Sequence, residues 1–466
     1  MKKIIATCLS ILFISITFAQ TGWKWAKNAE SSNNSDGFSI SKIVDDHVYV
    51  CGEFFGPTIT FGSTTLTNAG EPGSNDLFLV KYDLAGNVSW AKSVGGSGSD
   101  FARSVAIDKT GNIYIAGGFT STSVAFGTII TLTNPGSTGT HDIFVAKYDP
   151  DGNVIWAKSI GGNLDDKANC IATDSEGDVC VIGWFGSKYM LLGNDSLKNQ
   201  SMYGSGDVFV IKLNSAGEPL WWRTATGYSE DYGYGIATDH NNNIYITGGS
   251  SSPEIDFNGV KIANPGYEKM YIAKYSPKGD LLFAQSVGGS NNAEGTGITA
   301  DNKGNVYITG KFSSSITLEA TTLTNAGAFD VYIAKYNSDG ALQWATSAGG
   351  IADERGNSII TDEQGNAYIT GWYSSTKITF GKTYLDNPGD KGTTHMFVAK
   401  YSPDGVPLWS ESAKGKSDDW GNGITLDKAG NVYVTGGFDG IEMNFSTTKF
   451  RNPQGNDFYI TKLLQP

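Results

Sequence analysis

The chain has 466 residues, with 34 Lys and Arg against 47 Asp and Glu and a net charge of −13. Such an acidic balance repels a phosphate backbone, so nucleic acid is excluded as an expected partner. With 60 Gly, 12% aromatics and no apolar period near 3.6 sustained over three turns, the sequence reads as many short strands joined by tight turns, not as helices.

The N-terminus has Lys2 and Lys3, an apolar run over 4–18 and Thr17-Phe18-Ala19 before Gln20, the layout of a secretory signal peptide over 1–19. Its removal leaves one domain over 20–466, with 32 basic and 47 acidic residues. No later stretch stays apolar for the roughly 18 residues that a membrane span needs, so no transmembrane segment is expected. The product is predicted to be exported, to the periplasm, the outside or the cell surface. Gln20 stands where a lipid anchor would need Cys. Beyond the leader, Cys51, Cys170 and Cys180 are an odd number for an intramolecular disulfide framework. Cys170 and Cys180 fall on consecutive predicted strands and could face each other. Other copies of the repeat place Ser or Gly at the first site and Tyr at the second, which favours buried, unpaired thiols.

One string, GNVYITG at 304–310, recurs with small changes, and its final Gly appears at Gly52, Gly117, Gly183, Gly248, Gly310, Gly371 and Gly436. The repeat is thus about 64 residues long, more than one supersecondary unit of the usual kind needs. A second anchor is aromatic: Trp25, Trp90, Trp156, Trp221, Phe283, Trp344 and Trp409 each precede the next Gly anchor by one and the same interval, that from Trp25 to Gly52. All length variation falls between the Gly anchor and the AKY-like segment that follows it. Within 104–158 the pattern predicts strand A over 104–108, B over 112–119, C over 142–149 and D over 153–159, with DKTGN and DPDGN as hairpin turns. Four antiparallel strands repeated seven times predict an all-β fold, a seven-bladed β-propeller. GWKWAKN (22–28) matches only a D strand, and DFYITKL (457–463) is a C strand. The expectation is that the ring closes by pairing the N-terminal D strand with the C-terminal A, B and C strands, which leaves few open edges.

These anchors resemble the SBBP family of bacterial β-propeller repeats, whose pattern runs GNxYxTG, LTNAG, FVAKYDxxGNxxWAKxxGG and DxGxxIAxD in that order. The likeness spans 22–463. It implies an exported bacterial propeller and no shared reaction or established catalytic residues.

Up-and-down strands place the B–C insertions and D–A connections on one face, the face expected to bind. Insertions such as 57–75 and 252–268 are expected to add small hairpins. The D–A connections carry a repeated acid, Asp100, Asp166, Asp231, Glu354 and Asp419, broken at Ala293. Five carboxylates near the axis could hold Ca²⁺ or a cationic ligand. Alternatively, each acid accepts backbone N–H bonds within its own blade. Trp184 and Trp372, directly after the Gly anchor, are not demanded by the repeat, and Trp420, Tyr228 and Tyr232 lie in or beside D–A connections. Exposed rings there could stack on sugar faces, or fill space between unequal insertions.

Catalytic signatures are sparse. His47, His141, His240 and His395 lack metal-ligand spacing. Gly415-Lys416-Ser417 lacks the first Gly of a phosphate loop, Asp149-Pro150-Asp151-Gly152 lacks the later calcium ligands, and no GxSxG elbow occurs. The leading reading is a non-catalytic, monomeric binding propeller for a glycan, peptide or protein. A propeller lyase or glycosidase using funnel carboxylates and a purely architectural surface module are the alternatives.

Overall fold

The computed structural model describes residues 22–465 apart from 32, 71–72, 135, 137–138, 194, 202–203, 265–266, 290, 388, 390–391, 416–417, 441, 447 and 452–454. The leader over 1–19 lies outside the described residues, as do Lys416 and Ser417. Among the described residues every regular element is a strand, and no helix is long and apolar enough to cross a membrane.

Each Gly-anchored copy lies in a four-stranded antiparallel unit ordered A–B–C–D. In the second unit these are Asp100–Ile107, Ile113–Phe119, Asp142–Tyr148 and Val154–Ile160. Strand A thus starts four residues before the expected 104, because Asp100 already pairs with Phe119. The unit anchored on Gly436 takes strands from both ends of the chain: Asp419–Leu426, Val432–Asp439 and Asn456–Leu464 are joined by Gly22–Asn28. Ala26 lies opposite Thr461 there, and Trp25 opposite Lys462.

The repeated turn residues have separable tasks. In the A–B turn, Asp108 accepts N–H bonds from Thr110 (2.9 Å) and Asn112 (3.0 Å), and Gly111 takes φ 85°. The Tyr114 hydroxyl donates to the same carboxylate at 3.0 Å and to the Gly177 carbonyl of the next unit at 3.3 Å. In the third unit Cys180 stands in place of that Tyr. Lys212 Nζ takes over, 2.7 Å from Asp174, with both side chains buried. The aromatic series on strand D joins neighbours: Trp156 packs its ring on Gly217 in the C–D turn of the next unit and donates Nε1–H to the Ser215 carbonyl at 3.1 Å. Trp25, Trp90, Trp221 and Trp344 donate likewise to Leu84, Pro150, Pro277 and Pro403. Trp409 is the exception, its Nε1 buried without a partner among the described residues. The next unit has no C–D turn to offer a carbonyl, since its C and D strands come from opposite ends of the chain.

Strands B and C are buried along their whole length in the second unit, so they read as continuous apolar runs, not alternation. The cores lie between successive units. One joins Tyr49, Leu77 and Leu79 to Ile113, Ile115 and Phe144; another joins Val48, Val50 and Phe78 to Tyr433, Phe458 and Ile460. The insertions do form hairpins, such as Glu254–Phe257 with Val260–Ala263, turning through Asn258 at φ 54° and Gly259 at φ 99°. Most also pair with the end of strand D of the preceding unit, as Ala225 does with Phe257 and Gly288 with Thr317. The variable segment is therefore a seam between units as well as a surface. All three described cysteines are free; Cys170 pairs across to Ile182 and Cys180 to Ala172, so the two are out of register.

Candidate functional site

In every unit the A–B ladder slips by one residue beside the Gly anchor. Ala116 pairs with Ser104 and Gly117 with Ala102, which leaves Arg103 as the extra residue of a β-bulge. The corresponding residues elsewhere are Phe38, Asn169, Tyr234, Thr296, Asn357 and Asn422. A Cβ on Gly117 would sit 1.9 Å from the Phe101 carbonyl oxygen, and the same 1.9 Å approach occurs at Gly52, Gly183, Gly248, Gly310, Gly371 and Gly436. The final Gly of the repeated string is there because the bulge brings a carbonyl against it.

All the bulge residues line one cavity of about 450 Å³. Four of them tie strand A to its neighbour: Asn169 donates to the Gly233 carbonyl (2.8 Å), Asn357 to Gly421 (3.0 Å), Asn422 to Gly37 (3.1 Å), and Thr296 to Gly356. Phe38, Arg103 and Tyr234 are of another kind. The Arg103 guanidinium stacks over the Phe38 ring at 4.4 Å, and Tyr234 stacks on Tyr232 at 6.0 Å.

Two residues before each bulge comes a second row: Asp36, Phe101, Lys167, Tyr232, Glu294, Arg355 and Trp420. Opposite them on strand B stand Glu53, Gly118, Trp184, Gly249, Lys311, Trp372 and Gly437. Of these, Asp36, Arg355 and Trp372 line the cavity, and the two rows change from unit to unit while the surrounding spacing stays fixed. Trp420 Nε1–H donates to Asp36 at 3.1 Å, Trp184 meets Tyr232 edge-on at 5.4 Å, and Lys167 lies 5.6 Å over Trp184. Glu294 lies 3.0 Å from Lys311 and 3.6 Å from Arg355. Burial pushes Asp36 up to about 7 against the lowering effect of Trp420. Glu53 is raised by burial too, although Asn75 donates to it at 2.9 Å. Glu268 rises to about 7 through burial and the charge of Glu294.

The two rows thus hold four of the five aromatic residues singled out in the sequence, Trp184, Trp372, Trp420 and Tyr232, of which Trp372 lines the cavity. Tyr228 stays apart on a D–A connection, 63% exposed. The bulge row had escaped sequence reading. Its signal was a column that varies inside an otherwise constant frame, visible only by laying the seven copies over one another.

The acidic series is placed differently. Asp100, Asp166, Asp231, Glu354 and Asp419 are all buried, and the first four accept bonds from their own unit or from the connection that leads into it. Asp100 takes the Gly96 N–H (2.8 Å) and the Ser121 hydroxyl (2.7 Å); Asp166 takes Ser187 (2.8 Å), Asp231 takes Ser252 (2.9 Å), and Glu354 takes the Gly350 N–H (2.8 Å). Asp419 instead faces His395 at 2.8 Å. A second acid, at the start of strand C, faces the first at four junctions: Asp76 with Asp100, Asp142 with Asp166, Asp207 with Asp231, Asp330 with Glu354. Burial, helped by the partner's charge, lifts Asp142, Asp231 and Glu354 to about 7. Glycine of the recurrent Gly-Gly pair makes the room: a Cβ on Gly161 would lie 2.1 Å from an Asp142 oxygen, and one on Gly349 2.1 Å from the Asp330 carboxyl carbon. Among the described residues no three His, Cys, Asp or Glu side chains converge as a metal site would need.

Comparison with known proteins gives distant relatives. The chain is 21% identical over 530 aligned positions to an uncharacterized WD repeat-containing protein of Acanthamoeba polyphaga mimivirus, covering 94% of this chain and 38% of that protein. It is 30% identical over 148 residues to the regulatory protein FlaEY of Caulobacter vibrioides, covering 31% of this chain and 15% of that one. The chain therefore spans well under half the length of these curated relatives. Among solved structures, Sqt1 from Chaetomium thermophilum aligns over 95% of this chain and 100% of its own at 8% identity and a TM-score of 0.45. The model of the SBBP β-propeller repeat matches at 90–117, 222–253, 283–311 and 412–436, the first and third of these running from an aromatic anchor on strand D to or just past the Gly anchor on strand B. The chain thus carries SBBP β-propeller repeats at four places.

Proposed function

We propose that the units close into a seven-bladed ring over 22–465, sealed by the strand pair of the two chain ends, and that the ring is an exported, non-catalytic carbohydrate-binding module. Its ligand sits at the rim of the axial cavity, on the face of the D–A connections. The observation that carries this reading is the gathering of Trp184, Tyr232, Trp372 and Trp420 at rim positions that the repeat leaves free. Flat apolar ring faces beside amides and charged forks are what a pyranose needs, with its apolar faces and equatorial hydroxyls. The leader over 1–19 supports export.

A glycan array with the protein beginning at residue 20, followed by Trp184→Ala and Trp372→Ala, tests the reading. Binding above background that falls about tenfold or more in each variant, with melting temperatures retained, supports it. Signal that persists in both variants refutes it. The second reading, a lyase or glycosidase, draws on the raised rim acids Asp36 and Glu268. Turnover of a polysaccharide library that is lost in Glu268→Gln would favour it.

A further inference from the structure

Two arginines stand in the axial cavity without the partners that such groups ordinarily have. Arg103 projects from the bulge of the second unit, Arg355 from the row beside the bulge of the sixth, and both line the same cavity. Among the described residues Arg103 makes no ion pair within 4 Å, its contact being the Phe38 ring. Arg355 has only the loose 3.6 Å contact to Glu294, and its Nε is buried with no hydrogen-bond partner. The two charges act on one another across the cavity; Arg103 is exposed and the Arg355 side chain 31% exposed, so both forks can be reached from solvent. Two like charges that face one space repel, and an anion between them relieves that repulsion. A planar fork best fits a carboxylate or another oxyanion.

The rest of the lining narrows the choice. Tyr234 and Trp372 supply ring faces, and Asn357 and Ser358 supply neutral polar groups. The volume of about 450 Å³ lies within the range of small-molecule sites. The acids of the rim leave room for an anion. Glu294 is engaged by Lys311 and Arg355, Asp36 accepts from Trp420 and Asn422, and Asp36, Glu53 and Glu268 are all held toward their neutral forms. Lys167 adds a further positive charge beside Trp184.

Resting on the carbohydrate-binding reading, we propose that the ligand is an acidic saccharide, a uronic-acid oligomer, whose carboxylate is clamped between Arg103 and Arg355 while a sugar face lies on the rim aromatics. The test is calorimetric titration with trimers of galacturonate, mannuronate and glucuronate, their methyl esters, the matching neutral trimers and an Asp-rich hexapeptide. At least one uronate trimer binds, and its methyl ester binds at least tenfold more weakly. Arg103→Gln and Arg355→Gln each lower that affinity tenfold or more with unchanged melting temperature, and Arg103→Lys recovers only part of it. Equal binding of acid and ester, or full affinity in both Gln variants, overturns the clamp and leaves carbohydrate binding standing. Preference for the hexapeptide over every uronate overturns the saccharide assignment. No binding by any saccharide, charged or neutral, removes the carbohydrate reading and the clamp with it.

Discussion

Replacing Asp142 by Asn should stabilise the protein more at pH 8 than at pH 5. Asp142 is fully buried, among the described residues its carboxyl has only the Gly162 N–H to offset that burial, and it faces Asp166, which is also buried. Burial first, and the Asp166 charge second, raise it from an ordinary 3.8 to about 7. Its folded form therefore binds the proton more tightly than the unfolded chain does. The resulting contribution is fully present below about pH 4, declines as pH rises toward 7 and is lost above it. At 1.36 kcal/mol for each tenfold in proton affinity, moving one carboxyl that far corresponds to about 4 kcal/mol at most, and less because the pair shares the repulsion. Asn keeps the shape and removes the charge, so a gain of roughly 1–3 kcal/mol at pH 8 is expected. At pH 5 the native carboxyl carries its proton while the unfolded one is already largely ionised, so the gain is smaller, under about half of that at pH 8. Calorimetric melting of both proteins at pH 5 and pH 8, at matched ionic strength, reads the difference of differences and cancels the effect of overall net charge. A variant that loses more stability at pH 8 than at pH 5 would show that the carboxyl is held ionised by partners, and the reasoning fails.

Gly310→Ala should cost about 3 kcal/mol, because the new Cβ would meet the Glu294 carbonyl at 1.9 Å; an unchanged melting temperature would mean that the bulge yields freely. Trp156→Phe should cost about 1 kcal/mol more than Trp409→Phe, since only the first removes a bonded Nε1–H; equal losses in urea titrations would assign both residues to packing alone. Deleting 22–28 removes the edge strand that pairs with Asn456–Leu464 and should abolish the cooperative melt, exposing the last core to a hydrophobic dye. A transition within about 2 °C of the parent's, what a loss of about 1 kcal/mol would shift, would contradict that strand's place in the fold.

Much of the scaffold was legible because its parts are local and periodic. The Asp-x-x-Gly-Asn turns, the buried B and C strands and the constant Trp-to-Gly spacing each rest on contacts that recur in each unit. The partner of each Trp was not legible: the carbonyl it bonds belongs to the next unit, as Ser215 does for Trp156 at a separation of 59 residues. The acids were seen one at a time, yet their surroundings depend on a residue well upstream, as Asp142 precedes Asp166. The hairpins were expected as ornaments of the binding face, whereas pairing to the preceding strand D makes them part of the joint. Of the rim, the aromatics were found by their departure from the repeat. Arg103 and Arg355 were passed over because a charged residue near a strand end looks like ordinary solvated surface.

Repetition and specificity are separated here by a single residue. A regular A–B ladder would fix the facing of every side chain on strand A, so any change there would disturb either the core or the neighbouring unit. The bulge releases one position from the ladder and points it into the shared cavity, and the anchoring Gly makes the bulge possible by admitting a carbonyl where a Cβ cannot fit. Once released, the position has two uses. Asn169, Asn357, Asn422 and Thr296 spend it on a bond to the next strand A, which holds adjacent units in register. Among the described residues Phe38, Arg103 and Tyr234 make no such bond, and they fall on the first, second and fourth units, giving a repeated scaffold a cavity whose lining differs from unit to unit. The glycine is constant so that the residue opposite it can vary, which is why the most repeated letter in the chain marks the place where the units differ.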